Sequence, residues 1–219
     1  MNYIELSQAI QDYTETTEQI FVDNIPTFVQ QAEERIYNTV QIPALRRNVT
    51  GNTTASNKYL ACPNDYLSTY SMAVIDPTTG EYEYLLNKDV NFIRQAYPSA
   101  SDSGLPQYYA IFGSRLDNPD ELSFILGPAP DDNYVAELHY YYYPESIVTA
   151  NTSWLGDNFD SVLLYGSLVE AYTFMKGEQD LVTLYNQKYV EALALLKRLG
   201  DGMDRQDAYR SGQVRIQVT

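Results

Sequence analysis

The feature that most constrains this chain is a change in hydrophobic period, made twice. Ile25, Phe28, Val29, Ala32, Ile36 and Val40 recur at three- and four-residue spacing, which sets an amphipathic helix over about 25–40. Between about 45 and 143 the period is that of strands instead. After 160 the helical period returns. "FDSVLLYGSLVEAYTFMKG" groups Val162, Tyr165, Leu168, Val169, Tyr172 and Met175, while "EQDLVTLYNQKYVEALALLKRLG" groups Leu181, Leu184, Tyr185, Tyr189, Ala192, Leu195, Leu196 and Leu199. Strand patterns enclosed by helical ones predict an α+β protein, mainly a helical bundle with an inserted antiparallel β region.

Local signals refine this. Residues 3–13 read as a short helix with Ile4, Leu6 and Ile10 as its apolar positions, and a further turn spans 17–22. Asn24 reads as the cap of the 25–40 helix, with Pro26 in its first turn, where a missing N–H does no harm. Pro43 marks its end. Asp160 reads as a cap, and Gly177 and Gly200 as helix stops. "YLSTYSMAVIDPTTGEYEYLL" and "QYYAIFGSRLDNPDELSFILGPAP" read as hairpins, and "KDVNFIRQAYP" as a helical insert. Residues 144–157 are a connection. The expected organisation is one domain over 1–200, a bundle of 1–43 and 156–200 around a β-rich insertion of 44–155, with an extended tail at 201–219.

The strand "NYVAELHYYYYP" holds four successive tyrosines, 140–143. Alternation puts Tyr134, Ala136, Leu138, Tyr140 and Tyr142 on one face, the natural core face. Val135, Glu137, His139, Tyr141 and Tyr143 share the other. That second face is neither plain core nor plain surface, and Tyr141 and Tyr143 are candidates for a subunit contact.

Catalytic signals are sparse. His139 is the only histidine and Cys62 the only cysteine, so neither a zinc set nor an intrachain disulfide can be assembled. Cys62 lies in "YLACPNDYL" without a basic neighbour to generate a thiolate, and reads as a buried small residue. The carboxylates of 130–132 and 156–160 lack the full spacing of a calcium loop, and no glycine-rich phosphate cradle is present. Neither a metal nor a cofactor is expected. The net charge of −15 opposes a grip on DNA or on an anionic membrane. No leader peptide or membrane-spanning run is read, so synthesis in a reducing cytoplasm is expected.

The tail departs from this acidic body. Over 201–219 Asp201, Asp204 and Asp207 balance Arg205, Arg210 and Arg215, and "QVRIQV" alternates Val214, Ile216 and Val218 with polar residues. An unpaired strand of this kind can add to a sheet edge.

Five segments, in order, carry a resemblance: "FVDNIPTFVQQAEERIYNTV" at 21–40, "YLACPNDYL" at 59–67, "QYYAIFG" at 107–113, "FILGPAPDDNYVAELHYYYYP" at 124–144 and "NTSWLGDNFDSVLLYGSLVEAYTFMK" at 151–176. The series resembles the adaptor, or head-to-tail connector, proteins of tailed bacteriophages, particularly short-tailed ones. The resemblance implies a non-enzymatic virion protein at the head–tail interface, made in the host cytoplasm. It implies a homo-oligomeric ring, commonly dodecameric, beneath the portal, with tail or nozzle proteins as further partners. DNA would pass through the channel without specific binding. It implies too that the C-terminal extension docks on the portal, where Arg205, Arg210 and Arg215 would meet carboxylates, Tyr209 would anchor, and Val214, Ile216 and Val218 would fill alternate pockets. The alternative for the tail is a place on its own subunit's sheet or a neighbour's. Other readings of the whole are a tail-tube or tail-completion protein, a small-ligand module built on a tyrosine-rich sheet, and a cytosolic enzyme.

Overall fold

The computed structural model describes residues 1–99, 101–113 and 122–203. Arg205, Tyr209, Arg210, Val214, Arg215, Ile216 and Val218 lie outside the described residues, as does the turn of the second hairpin. The fold is α+β. A helical unit is made from Met1–Leu45 and the chain from Pro144 onwards, and a β-rich unit from Arg46–Tyr143.

In the helical unit, α1 (Tyr3–Thr14) opens with a reciprocal cap: Asn2 Oδ1 accepts from Glu5 N–H, and Glu5 Oε2 accepts from Asn2 N–H. Leu6 and Ile10 are buried, but Ile4 is exposed, so only one side of this helix is core. α2 (Gln19–Thr39) begins earlier than the proline suggests. Asn24 is not its cap; its Nδ2 donates to the Ile20 carbonyl at 2.7 Å, and Pro26 sits inside the helix. The buried row Phe21, Ile25, Phe28, Val29, Ala32 and Ile36 runs continuously through the proline. Burial of that row holds a helix that local signals would break, since an interior proline costs roughly 3 kcal/mol.

The 144–157 connection contains two short helices, α4 (Ile147–Ala150) and α5 (Trp154–Asn158). α6 (Asp160–Phe174) follows, and Asp160 is its first residue rather than its cap. Val162, Leu163, Leu164, Leu168, Val169, Ala171 and Tyr172 are all buried, so this helix is core on nearly every side. Gly166 permits the close packing: a Cβ there would lie 3.1 Å from Ala32 Cβ and 3.2 Å from the Tyr189 ring. Arg35 of α2 pairs with Glu170 of α6. α7 (Gln179–Met203) runs through Gly200, which is buried 3.2 Å from the Gln41 carbonyl at its would-be Cβ. Gly200 is therefore a place of close approach and not a stop. Of the predicted α7 stripe, Tyr189, Ala192 and Leu196 are buried, whereas Leu184, Leu195 and Leu199 are exposed.

Glu33 of α2 is 3% exposed. Its carboxylate accepts from Ser146 Oγ–H at 2.6 Å and from Ile147 N–H at 2.9 Å, capping α4. Burial raises its pKa, and the two hydrogen bonds only partly oppose this. A raised folded pKa means ionisation opposes folding, fully so above that pKa and not at all below the unfolded value. Glu33→Gln is therefore expected to gain stability relative to wild type as pH rises through the folded pKa. Denaturant unfolding of both proteins from pH 4 to 7.5 checks the sign; a difference independent of pH would contradict it.

The β-rich unit has two four-stranded sheets. One has the order β1 (Arg46–Asn52), β8 (Val135–Tyr142), β3 (Tyr66–Ile75), β4 (Tyr82–Tyr84), all antiparallel. The other runs β2 (Tyr59–Ala61), β7 (Ser123–Gly127), β6 (Tyr108–Phe112), β5 (Leu86–Asn87). β5 and β6 pair in parallel, a departure from a purely antiparallel insertion, because α3 (Val90–Ala96) carries the chain across between them. Met72, Val74, Tyr109, Phe124, Leu126, Leu138 and Tyr140 form the main core.

Candidate interaction surface

The tyrosine strand β8 lies between β1 and β3, and its register explains its composition. Arg46 is opposite Tyr141 and Arg47 opposite Tyr140. Successive residues of a strand point to opposite faces, so the two arginines serve opposite sides of the sheet. On the outer face the Arg46 guanidinium lies 4.1 Å from the Tyr70 ring centroid and 5.0 Å from that of Tyr141, and Arg46 Nη2 donates to Tyr141 Oη at 2.5 Å. On the inner face Arg47 stacks 3.7 Å from the Tyr142 ring and pairs with Asp65 at 2.8 Å. Each arginine places a cation over an electron-rich ring face.

Asp65 links these groups. It accepts from Tyr140 Oη–H at 2.8 Å, and its own carbonyl accepts from Tyr143 N–H at 2.7 Å. Burial first, then the bond to Asp65, pushes the Tyr140 phenol up to about 12. Tyr134 is likewise pushed up to about 12, chiefly by donating to Asp131. These phenols are held protonated at neutral pH and serve as donors.

Tyr140 is buried and Tyr142 half-buried on the core side. Tyr141 is only 8% exposed, covered within its own subunit by Arg46 and Tyr70; Tyr143 is half-buried. The open part of the outer face lies further along, where Tyr82 and Tyr84 stack with centroids 6.4 Å apart and Val135 is exposed. Sequence reasoning missed Arg46, Arg47, Asp65 and Tyr70. The adjacent arginines are a signal that could have found the first two; Asp65 and Tyr70 join them only through the fold.

His139 has a serine and a carboxylate beside it: Nδ1 is 3.3 Å from Ser71 Oγ and Nε2 is 3.3 Å from Glu137 Oε1. The residue types match a nucleophile relay, but the setting does not. Ser71 and His139 are register partners in the β3–β8 ladder, so the trio lies across a sheet face rather than on a turn above a cradle of free N–H donors. Cys62 is buried. Among the described residues no three His, Cys, Asp or Glu side chains converge on a metal site, and no helix is long and apolar enough to cross a membrane. What the arrangement offers is a braced, aromatic protein surface.

A family model described as SU10 adaptor protein matches residues 1–217. No curated protein matches the chain.

Proposed function

The chain belongs to the SU10 adaptor protein family and is a structural adaptor of a bacteriophage, and we propose that its copies form a ring joining the portal to the tail and continuing the DNA channel. The observation that carries this reading is the family match across almost the whole chain. The chemistry agrees with it. A channel wall must let DNA slide, and a net charge of −15 supplies few cations to hold phosphates. A ring subunit must bury a face on each side, and the helical unit exposes Leu184, Leu195 and Leu199 along α7. Arg205, Tyr209 and Arg210 of the C-terminal segment suit a carboxylate-bearing partner such as the portal. The Ser71–His139–Glu137 group holds the sheet face and performs no turnover.

Sedimentation of the purified full chain, alone and mixed with portal rings, tests this. The expected result is a complex containing both proteins in a fixed ratio, unaffected by His139→Gln. Failure to associate with portal rings at micromolar concentrations would overturn the proposal.

A further inference from the structure

The two sheets of the β-rich unit do not close on each other at one margin. β1 ends one sheet and β2 ends the other, and each pairs on a single side among the described residues. Between them runs an apolar groove of about 230 Å³ that reaches the core side chains Phe124, Ala136 and Leu138. The cause is local. The core-facing positions of β1 opposite Leu138 and Ala136 are Val49 and Gly51. Val49 is 39% exposed, and Gly51 has no side chain, with nothing within 4 Å of where a Cβ would be. Across the groove β2 contributes Leu60, half-buried, and the small Ala61. Among the described residues, then, the groove has room for one more row of apolar side chains, beside strand edges that pair on one side only, the arrangement that accepts an added strand.

We propose that this groove receives residues 213–218 of a second copy of the chain. "QVRIQV" is a period-two segment with Val214, Ile216 and Val218 on one face, a row the groove has room for. Six extended residues span roughly 20 Å, about the length of β1. Charge selects the same segment. Asp204 and Asp207 against Arg205, Arg210 and Arg215 leave residues 204–219 at +1, so the other 203 residues carry −16. Two bodies of that charge repel, and this segment is the part of the chain that approaches another copy without like-charge opposition. With Val214, Ile216 and Val218 turned inwards, Arg215 faces the outer side of the sheet, the side of Glu137, which pairs with Thr50 of β1. Each copy gives one strand and receives one, a head-to-tail contact of the type that closes rings. Arg205, Tyr209 and Arg210 remain for the portal. The inference rests on the proposal that copies of the chain assemble.

Amide hydrogen exchange of the full chain, read in peptides covering 46–52 and 59–63, tests it. Raising the protein from dilute to assembling concentration should slow exchange there by about tenfold or more. Ile216→Asp should abolish that slowing with the melting temperature of the dilute protein unchanged. Gly51→Val, which fills the groove from within, should weaken association of copies as Ile216→Asp does. Three outcomes would overturn the inference: protection independent of concentration, which places the chain's own segment in the groove; protection that appears only with portal rings; or protection untouched by Ile216→Asp. Association with portal rings is read separately by sedimentation, so failure of the adaptor proposal would not be mistaken for failure of this one.

Discussion

Tyr140→Ala is expected to destabilise the β-rich unit by about 3–5 kcal/mol, the range for truncating a large buried aromatic. Tyr140 is 4% exposed, stacks on Tyr66 with centroids 6.0 Å apart, and donates to Asp65. Truncation opens a cavity and removes one of the donors that hold a carboxylate also serving Arg47. Tyr140→Phe keeps the packing and loses the hydrogen bond to a charged group, so roughly 1.5–3 kcal/mol is expected. Tyr142→Ala should fall below Tyr140→Ala, because Tyr142 is only half-buried and its main partner is the Arg47 guanidinium. Urea unfolding followed by tyrosine fluorescence orders the three. Equal losses for Tyr140→Ala and Tyr142→Ala would refute the assignment of Tyr140 as the core anchor.

Leu168→Ala is expected to cost about 2–5 kcal/mol in the helical unit. Leu168 is fully buried at the middle of α6, the helix that is core on nearly all sides. The control is Leu195→Ala on α7. Leu195 is 53% exposed, and a surface change of that kind should stay within about 0.5 kcal/mol in the dilute protein. If Leu195→Ala matched Leu168→Ala, the packing of α6 against α7 described above would be wrong.

The contrast between these two leucines shows where sequence reading stops. Each falls on the predicted apolar stripe of its helix, and periodicity alone cannot say that only part of a stripe is covered. Pattern does establish what depends on neighbours along the chain: the two hairpins, α3 and the alternation of β8 follow from period and turn residues. Punctuation is less dependable where tertiary packing outweighs local preference. Pro26 lies inside α2 because the row from Phe21 to Ile36 is buried on both sides of it, and Gly200 continues α7 because a backbone passes beside it. The surface was half legible. Alternation separated Tyr140 from Tyr141, but which cation meets which ring depends on the β1–β8 register, set by residues about 95 positions apart.

That register also bears on how the chain reaches its native state. α2 and α6 must meet although the whole β-rich unit, Arg46–Tyr143, separates them in sequence. A flexible intervening segment of that size would impose a loop-closure entropy growing with the logarithm of its length. β1 and β8 are the first and last strands of the unit and lie side by side, with Arg46 opposite Tyr141. Residues so paired have Cα atoms about 5 Å apart. Once the sheet has formed, the helices are joined by something that behaves as a short link, a saving of about four doublings of length, or roughly 2–3 kcal/mol. The order this favours is the sheet first and the helices second, an expectation that folding kinetics can test. In kinetic terms, Tyr140→Ala should slow the docking of α2 on α6, although Tyr140 belongs to the other unit.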